Sequence, residues 1–489
     1  MSQLTAFLAH RFGWETYLRP FLYKKLPSGV GWSATLGSLC ALTFAVEAVT
    51  GMVLAMYYTP SPDLAYRSIQ YIMEDVQLGW LLRGIHHWGA GAMVFLVACH
   101  LLHVFFTGSF KAPREMTWVV GTMLLLLTLG MGFTGYLLPW DQKAYWATVV
   151  SSNVPRDIPI IGDVVTRVLL GGDRVSGLTL SRFYATHMLI LPTLMLTSAA
   201  VHIYLVRLHG MAADSQSDST SGRIYRFYPE HLARASTAFA LVLAALAGLS
   251  ALGHVPLEKM AGTVDPAYLP RPEWYYMWLF QLLTYFSGRW EAVGSLAIPL
   301  AGVAMLFAVP WLGRWPLRRL ADRPLAAACG VSGVVAVVYL TVTAFSGVQP
   351  YGQVVPIPDR ALTPVELRGL EVYVERECAY CHNISNQGGR REGPDLANMA
   401  AKKRTVDAMM EFIKNPQKVS SLSIMPKYDL PPEQLQGLAE FILSLNPGQG
   451  RHRIATAEDV RAGKIQQRTG AISAPEGIKP HPIIKGGNR

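Results

Sequence analysis

Two pairs of histidines on long apolar runs, His86 with His100 and His187 with His202, are the residues best placed to do chemistry. The first pair is 14 residues apart and the second 15. At 3.6 residues per turn either interval is close to four turns, so each pair shares one helix face with its members about 21–23 Å apart. A hydrocarbon core is only about 30 Å thick, so each helix shows one imidazole near each membrane surface. Imidazole is a common axial ligand of haem iron, and ionisable residues inside a membrane are costly and usually functional. Two such helices can clamp two haems b stacked across the bilayer. Other pairings fit worse: His87 to His100 is 13 residues, about 140° off a shared face, and His86 to His103 is 17, about 100° off. A single histidine in an apolar helix reads as a packed or polar-paired residue; four at matched spacing and depth read as ligands.

A second centre is written in Cys378-Ala379-Tyr380-Cys381-His382. This C-x-x-C-H box is the attachment signature of haem c: Cys378 and Cys381 bond the vinyl groups and His382 ligates the iron. A zinc knuckle is the rival, but zinc wants four ligands and the sequence has no second cysteine pair. Cys40, Cys99 and Cys329 complete the five cysteines and lie in apolar runs, so no disulfide framework is implied. The sixth ligand of this haem is expected to be Met425, 43 residues beyond His382 in a loop ahead of a helix at 432–445. Met399 is too close to the box, and Met409 and Met410 follow a helical pattern that reads as core.

The elements that must carry these residues follow from composition. Charged residues are 16% of the 489 and mean hydropathy is +0.25, too apolar for a soluble protein of this length. Apolar runs predict seven spanning helices, at 33–57, 80–106, 115–138, 179–207, 233–253, 292–313 and 325–346. The fold class is therefore an all-α membrane protein with a C-terminal α-helical cytochrome c domain. Residues 1–225 form a four-helix di-haem part and 226–346 a three-helix part. Residues 347–362, rich in Pro and Gly, read as a linker, 363–447 as the cytochrome c domain, and 448–489 as a basic, disordered tail.

The net charge of +10 is concentrated in loops and does not mark a nucleic-acid partner. Arg11, Arg19, Lys24 and Lys25 precede the first span, and Arg314, Arg318, Arg319 and Arg323 join the sixth to the seventh. The loop after the first span sets Arg67 against Asp63, Glu74 and Asp75. The positive-inside rule then puts the N-terminus in the cytoplasm. Seven crossings leave the cytochrome c domain outside, where haem c is attached in bacteria. His86 and His187 fall on the outer side, His100 and His202 on the inner.

Glycines repeat the ligand spacing. Gly37 and Gly51 are 14 apart on the first span, as are Gly121 and Gly135 on the third. Absence of a Cβ would let a flat macrocycle approach the backbone, although membrane helices also use glycine for packing. Arg83, on the outer side against the charge trend, is a candidate partner for a haem propionate; a snorkelling arginine is the plainer alternative. Lys111 and Arg114 can serve the inner haem, and a cytoplasmic loop explains them equally well.

These spacings, with the strings Gly79-Trp80-Leu81-Leu82-Arg83, Lys111-Ala112-Pro113-Arg114-Glu115, Gly135-Tyr136-Leu137-Leu138-Pro139-Trp140-Asp141-Gln142 and Arg182-Phe183-Tyr184, resemble cytochrome b of the bc-type quinol–cytochrome c oxidoreductases. The resemblance covers about residues 10–346, with a generic match to a Met/His cytochrome c over 361–447. The 15-residue second spacing looks like the chloroplast-type branch, whose four-helix and three-helix parts are usually separate chains. Pro272-Glu273-Trp274-Tyr275 matches the family's quinol-oxidation motif. That branch carries a cysteine for an extra covalent haem where this chain has Thr35, and Cys40 is about 140° round the helix from it. No extra haem is expected.

The resemblance implies that quinol is oxidised at the outer face. Glu273 would be the proton acceptor, its pKa raised by desolvation, with Tyr136 and Tyr275 lining the pocket. One electron would pass to a Rieske iron–sulfur protein and the other, through the outer and inner haems b, to quinone near His202 and Arg207, building a proton gradient. A Rieske cluster needs two cysteines and two histidines from boxes this chain lacks, so it must be another chain. The fused cytochrome c would deliver electrons to a soluble cytochrome c or a terminal oxidase. Location in a bacterial inner membrane and a homodimer within a larger complex are further implications. A linear quinol dehydrogenase and a non-enzymatic membrane anchor are the rivals; neither explains the outer-loop motif.

Overall fold

Seven apolar runs fold as helices long enough to cross a bilayer: Trp32–Ala55, Gly79–Phe106, Glu115–Tyr136, Gly177–His209, Phe227–Leu252, Val293–Leu312 and Pro324–Phe345. These are spans one to seven below. The computed structural model describes residues 7, 9, 11, 13–14, 19–27, 31–212, 225–253, 255–261, 271–286, 290, 292–312, 317–346, 354–380, 382, 384, 394–399, 404–419, 423, 425, 427–445 and 452–467. The spans agree with the sequence reading to within two residues at each end, except that span five opens at Phe227 instead of 233. Its first turn is broken by extended Tyr228, and regular helix begins at Leu232.

Several hydroxyls inside the spans, away from water, turn back on their own helix. Thr50, Thr128 and Thr134 donate to the carbonyls of Val46, Leu124 and Gly130. Span four contains one wide turn, Thr186–Ile190, in which the Leu191 N–H reaches the carbonyl of Thr186 five residues back. Such a π-bulge inserts one extra residue into a helix. It therefore absorbs the fifteenth residue between His187 and His202, and both rings face as a 14-residue interval would place them.

At the His86/His187 end, three shorter helices, Ala65–Glu74, Gln142–Asn153 and Gly162–Leu170, lie between spans. Ala65, Leu137, Trp140, Leu170, Leu180, Phe183 and Ala261 close over them as one apolar cluster. Asp141 ties this end together. One carboxylate oxygen accepts the Ala144 N–H at 2.8 Å as an N-cap, and the other accepts the Glu258 N–H at 3.1 Å.

The chain divides into two compact units, the membrane unit and a C-terminal unit that begins at residue 348. In the second, the helix Pro364–Glu375 crosses the helix Pro432–Ser444, with Tyr373 edge-on to Phe441 at 5.5 Å. The crossing is close because Gly369 rests on the backbone of Gly437, so a Cβ there would meet the Gly437 carbonyl oxygen. Gly369→Val is expected to destabilise this unit by about 1–3 kcal/mol through overpacking. The shift would be read as a lower Tm in calorimetry of the full chain.

Two boundaries read from the sequence need correction. Val354–Pro358, inside the expected linker, pairs antiparallel with His452–Thr456, inside the expected disordered tail, in the register Val354 with Thr456 and Pro358 with His452. The helix Ala457–Arg461 follows, and Val355, Ile357, Ala455, Ala457 and Val460 are buried in the unit's core. Burial of these apolar side chains holds both segments to the domain. Residues 468–489 of the tail lie outside the described residues.

Candidate functional site

Spans two and four bring the four histidines together in two levels. The rings of His86 and His187 stand 6.4 Å apart between centroids at 85°, and those of His100 and His202 stand 6.5 Å apart at 79°. Both rings of the first level are oriented by a threonine. Thr50 Oγ1 lies 3.0 Å from His86 Nδ1, and Thr134 Oγ1 lies 3.2 Å from His187 Nδ1. With Nδ1 occupied, Nε2 is left for a partner between the rings. At the second level, His100 Nδ1 is buried with no hydrogen-bond partner among the described residues.

The four glycines sit against these rings. A Cβ on Gly37 would lie 3.2 Å from His100 Cε1, on Gly51 3.1 Å from His86 Cε1, on Gly121 3.2 Å from His202 Cε1, and on Gly135 2.5 Å from His187 Cε1. Each of these four glycines of spans one and three thus faces one imidazole of spans two and four.

The sequence reading passed over Glu47. Its carboxylate on span one lies 3.1 Å from His86 Nδ1, and a Cβ on Gly89 would meet its Oε1. The signal was available, since a carboxylate in the middle of an apolar run seldom lacks a role.

Near the first level, Glu273 opens the turn Trp274–Tyr276. Its Oε1 accepts from Lys143 Nζ at 2.9 Å, and that Nζ lies 5.5 Å from the centroid of the Tyr136 ring. The carboxylate is half of an ion pair, because the helix Gln142–Asn153 delivers an ammonium to it. Tyr136 donates to the Arg271 carbonyl at 3.1 Å, which anchors the motif segment to the end of span three. Tyr275 is buried beside Gly132, and burial raises its phenol above the ordinary range.

The arginines meet acceptors and a ring within the protein. Arg83 is buried and donates to the carbonyls of Val255, at 3.5 Å, and Pro256, at 2.7 Å. A buried guanidinium must find acceptors, and the segment after span five supplies two. Arg114 donates to Gly210 at 2.9 Å and to His209 and Met211, closing the open carbonyls at the end of span four. Arg207 lies over the Phe227 ring at 5.1 Å. Close by, Lys24 donates to the Arg207 carbonyl, and buried His231 has its Nε2 3.4 Å from Ser38 Oγ. Thr35 is buried and donates to the Trp32 carbonyl.

In the C-terminal unit, His382 Nδ1 lies 2.9 Å from the Pro394 carbonyl, which leaves Nε2 for a ligand bond. Burial lowers the imidazole's pKa and so favours the neutral, ligating form. Cys378, Ala379 and Ile384 beside it and Met425 pack on the same apolar core. Burial pushes the Cys378 thiol up to about 12. Cys381 lies outside the described residues.

Comparison with known proteins fits this geometry. Residues 22–210 match the family model Cytochrome b/b6/petB, 262–357 match Cytochrome b(C-terminal)/b6/petD, and 365–442 match Cytochrome C oxidase, cbb3-type, subunit III. The cytochrome b6 of Heliobacterium mobile is 43% identical over 177 residues, covering 36% of this chain and 83% of that protein. The chain belongs to the cytochrome b family. The cytochrome b6 of Prochlorococcus marinus (strain MIT 9303) is 41% identical over 189 residues, 39% of this chain and 87% of that one. A chain of the solved structure "Hyperthermophilic respiratory Complex III" superposes with a TM-score of 0.63 at 26% identity, covering 70% of this chain and 91% of its own.

The two cytochrome b parts and the cytochrome c domain imply haem b and haem c. The residues present fit them. A metal bonded at roughly 2 Å to one nitrogen on each of two facing imidazoles holds the ring centroids about 6 Å apart, the separation found at both levels.

Proposed function

We infer that this membrane-spanning cytochrome b–c fusion is the catalytic subunit of a bc-type quinol–cytochrome c oxidoreductase in a bacterial inner membrane. The observation that carries the reading is the conjunction of two imidazole pairs, one at each level of the bundle, with Glu273 beside the first level. His86 and His187 would hold the outer haem b and His100 and His202 the inner one. Gly37, Gly51, Gly121 and Gly135 keep space at the rings. His382 and Met425 would hold the iron of haem c, and Cys378 and Cys381 would bond it covalently to the chain. When bound, these haems supply one-electron carriage, set in potential by their ligands and surroundings.

Quinol bound at the outer face releases two protons and two electrons as it becomes quinone. Glu273 accepts one proton, and Tyr136 and Tyr275 shape the pocket around it. One electron leaves to a Rieske iron–sulfur protein on a separate chain; the other crosses to quinone at the inner face, near His202, Arg207 and His231. Protons leave on one side and enter on the other, so the turnover builds a proton gradient. The cytochrome c domain faces the periplasm and hands electrons to a soluble cytochrome c or a terminal oxidase. The subunit works as a homodimer within a larger complex, and the likeness to a chain of a respiratory Complex III supports the larger complex.

Removing the iron–sulfur subunit from the purified complex tests this. Quinol-driven haem c reduction is expected to stop, while haem b remains reducible from the inner site. Continued haem c reduction would favour a linear relay. The ligand set of haem c has its own test. Met425→Leu is expected to keep the haem covalently attached, remove the sulfur–iron absorption band and lower the potential. Haem staining, spectra and a redox titration check it, and an unchanged band would exclude Met425.

A further inference from the structure

The Lys143–Glu273 pair has no part in the function proposed above, yet it occupies the group on which quinol oxidation depends. Lys143 stands one residue inside the helix Gln142–Asn153, whose N-cap, Asp141, is fastened by hydrogen bonds on both of its carboxylate oxygens. Next to it, Gln142 donates through its backbone to the Lys259 carbonyl at 2.8 Å and through its side chain to the Met260 carbonyl at 3.1 Å. The helix start is therefore rigid, and it presents the ammonium to a motif 130 residues away. Both side chains are partly covered, at 23% and 20% exposure, so water screens the pair only in part.

We propose that Lys143 is a positioning residue for quinol oxidation, the counter-ion that holds Glu273 as an oriented carboxylate until the quinol hydroxyl takes its place. This rests on Glu273 being the proton acceptor. The step balances simply: the quinol O–H bond breaks, its proton passes to a Glu273 carboxylate oxygen, and Lys143 keeps its own protons throughout. The ammonium also stacks over Tyr136, whose hydroxyl holds the Arg271 carbonyl. One cation thus orders the carboxylate, the ring and the backbone of the same pocket.

Other charged and titratable groups face this carboxylate. His87 on span two is in electrostatic range of Glu273, Arg83 and Lys143. Tyr275 is in range of Glu273 and Tyr276. Asp141 is in range of Arg83. Arg83 is committed to the carbonyls of Val255 and Pro256, Asp141 to the N–H groups of Ala144 and Glu258, and Tyr276 to the Leu129 carbonyl. Lys143 is the cation with a direct contact to the carboxylate among the described residues.

An opposite charge in contact favours the ionised form of a carboxylate. Loss of the ammonium therefore makes the acceptor go out of action at a higher pH. In the assembled complex, K143M is expected to move the acid limb of the quinol-oxidation rate upward by about one pH unit. K143R should restore it. A second readout needs no turnover: the infrared band of the Glu273 carboxylate, identified by its absence in E273Q, should shift in frequency in K143M as the 2.9 Å contact is lost, and return in K143R. Haem b spectra report assembly of each variant, and K143Q replaces K143M if the latter does not assemble. A K143M or K143Q profile superimposed on that of the parent chain, with E273Q still inactive, overturns the role of Lys143 and leaves Glu273 as acceptor. Full activity in E273Q overturns both.

Discussion

Replacing His187 with leucine is expected to remove one haem b and spare the other, so the haem b absorbance falls to about half and quinol oxidation drops to the inhibitor-insensitive background. The expectation follows from the two levels being separate pairs, 6.4 Å between rings at one and 6.5 Å at the other, with no histidine shared. A leucine fits the space of an imidazole but offers no lone pair to a metal. Gly135→Val should reach a similar end by a different route. A Cβ at Gly135 would already stand 2.5 Å from His187 Cε1. Valine adds two further methyls, so the ring must leave its place or the helices must part, at about 1–3 kcal/mol. Haem quantitation and a redox titration of membranes check both variants. Two haem b components surviving in His187→Leu would break the assignment of that level.

Glu273→Gln is expected to lower the quinol-oxidation rate by roughly 10²–10⁴-fold while leaving both haems b in place. The amide keeps the shape of the carboxylate and can still accept a hydrogen bond, but it has no charge to hold Lys143 at 2.9 Å and cannot retain a proton. The rate should fall through the turnover number more than through KM, because the proton is transferred only in the transition state. Steady-state kinetics at saturating quinol, with haem content measured on the same sample, read the effect. A change confined to KM would make Glu273 a binding group.

The helices and their histidines were readable because helical periodicity and hydropathy are local properties of sequence, and four imidazoles at matched depth leave few other uses. The reason for a 15-residue interval beside a 14-residue one was not readable. It depends on one hydrogen-bond shift at Thr186–Ile190, which no residue type in that turn announces. The glycine ladder was readable as spacing, but its facing partners, one imidazole each, needed the bundle. The partners of Arg83 and Glu273 lie 173 and 130 residues away along the chain, set by how the ends of the spans pack. The strand pair Val354–Pro358 with His452–Thr456 was read as linker and tail. Each strand alone is short, one carries two prolines, and only their meeting buries Val355, Ile357 and Ala455.

Bifurcation requires that the two electrons of quinol part company. The direct measurement gives quinol to the purified complex with its inner quinone site blocked, adds a pulse of oxidant, and follows haem b and haem c absorbance together. Haem b is expected to become more reduced as haem c is oxidised, because withdrawing one electron toward haem c forces the other toward His86 and His187. Oxidation of haem b in step with haem c would contradict it and make the chain a linear relay.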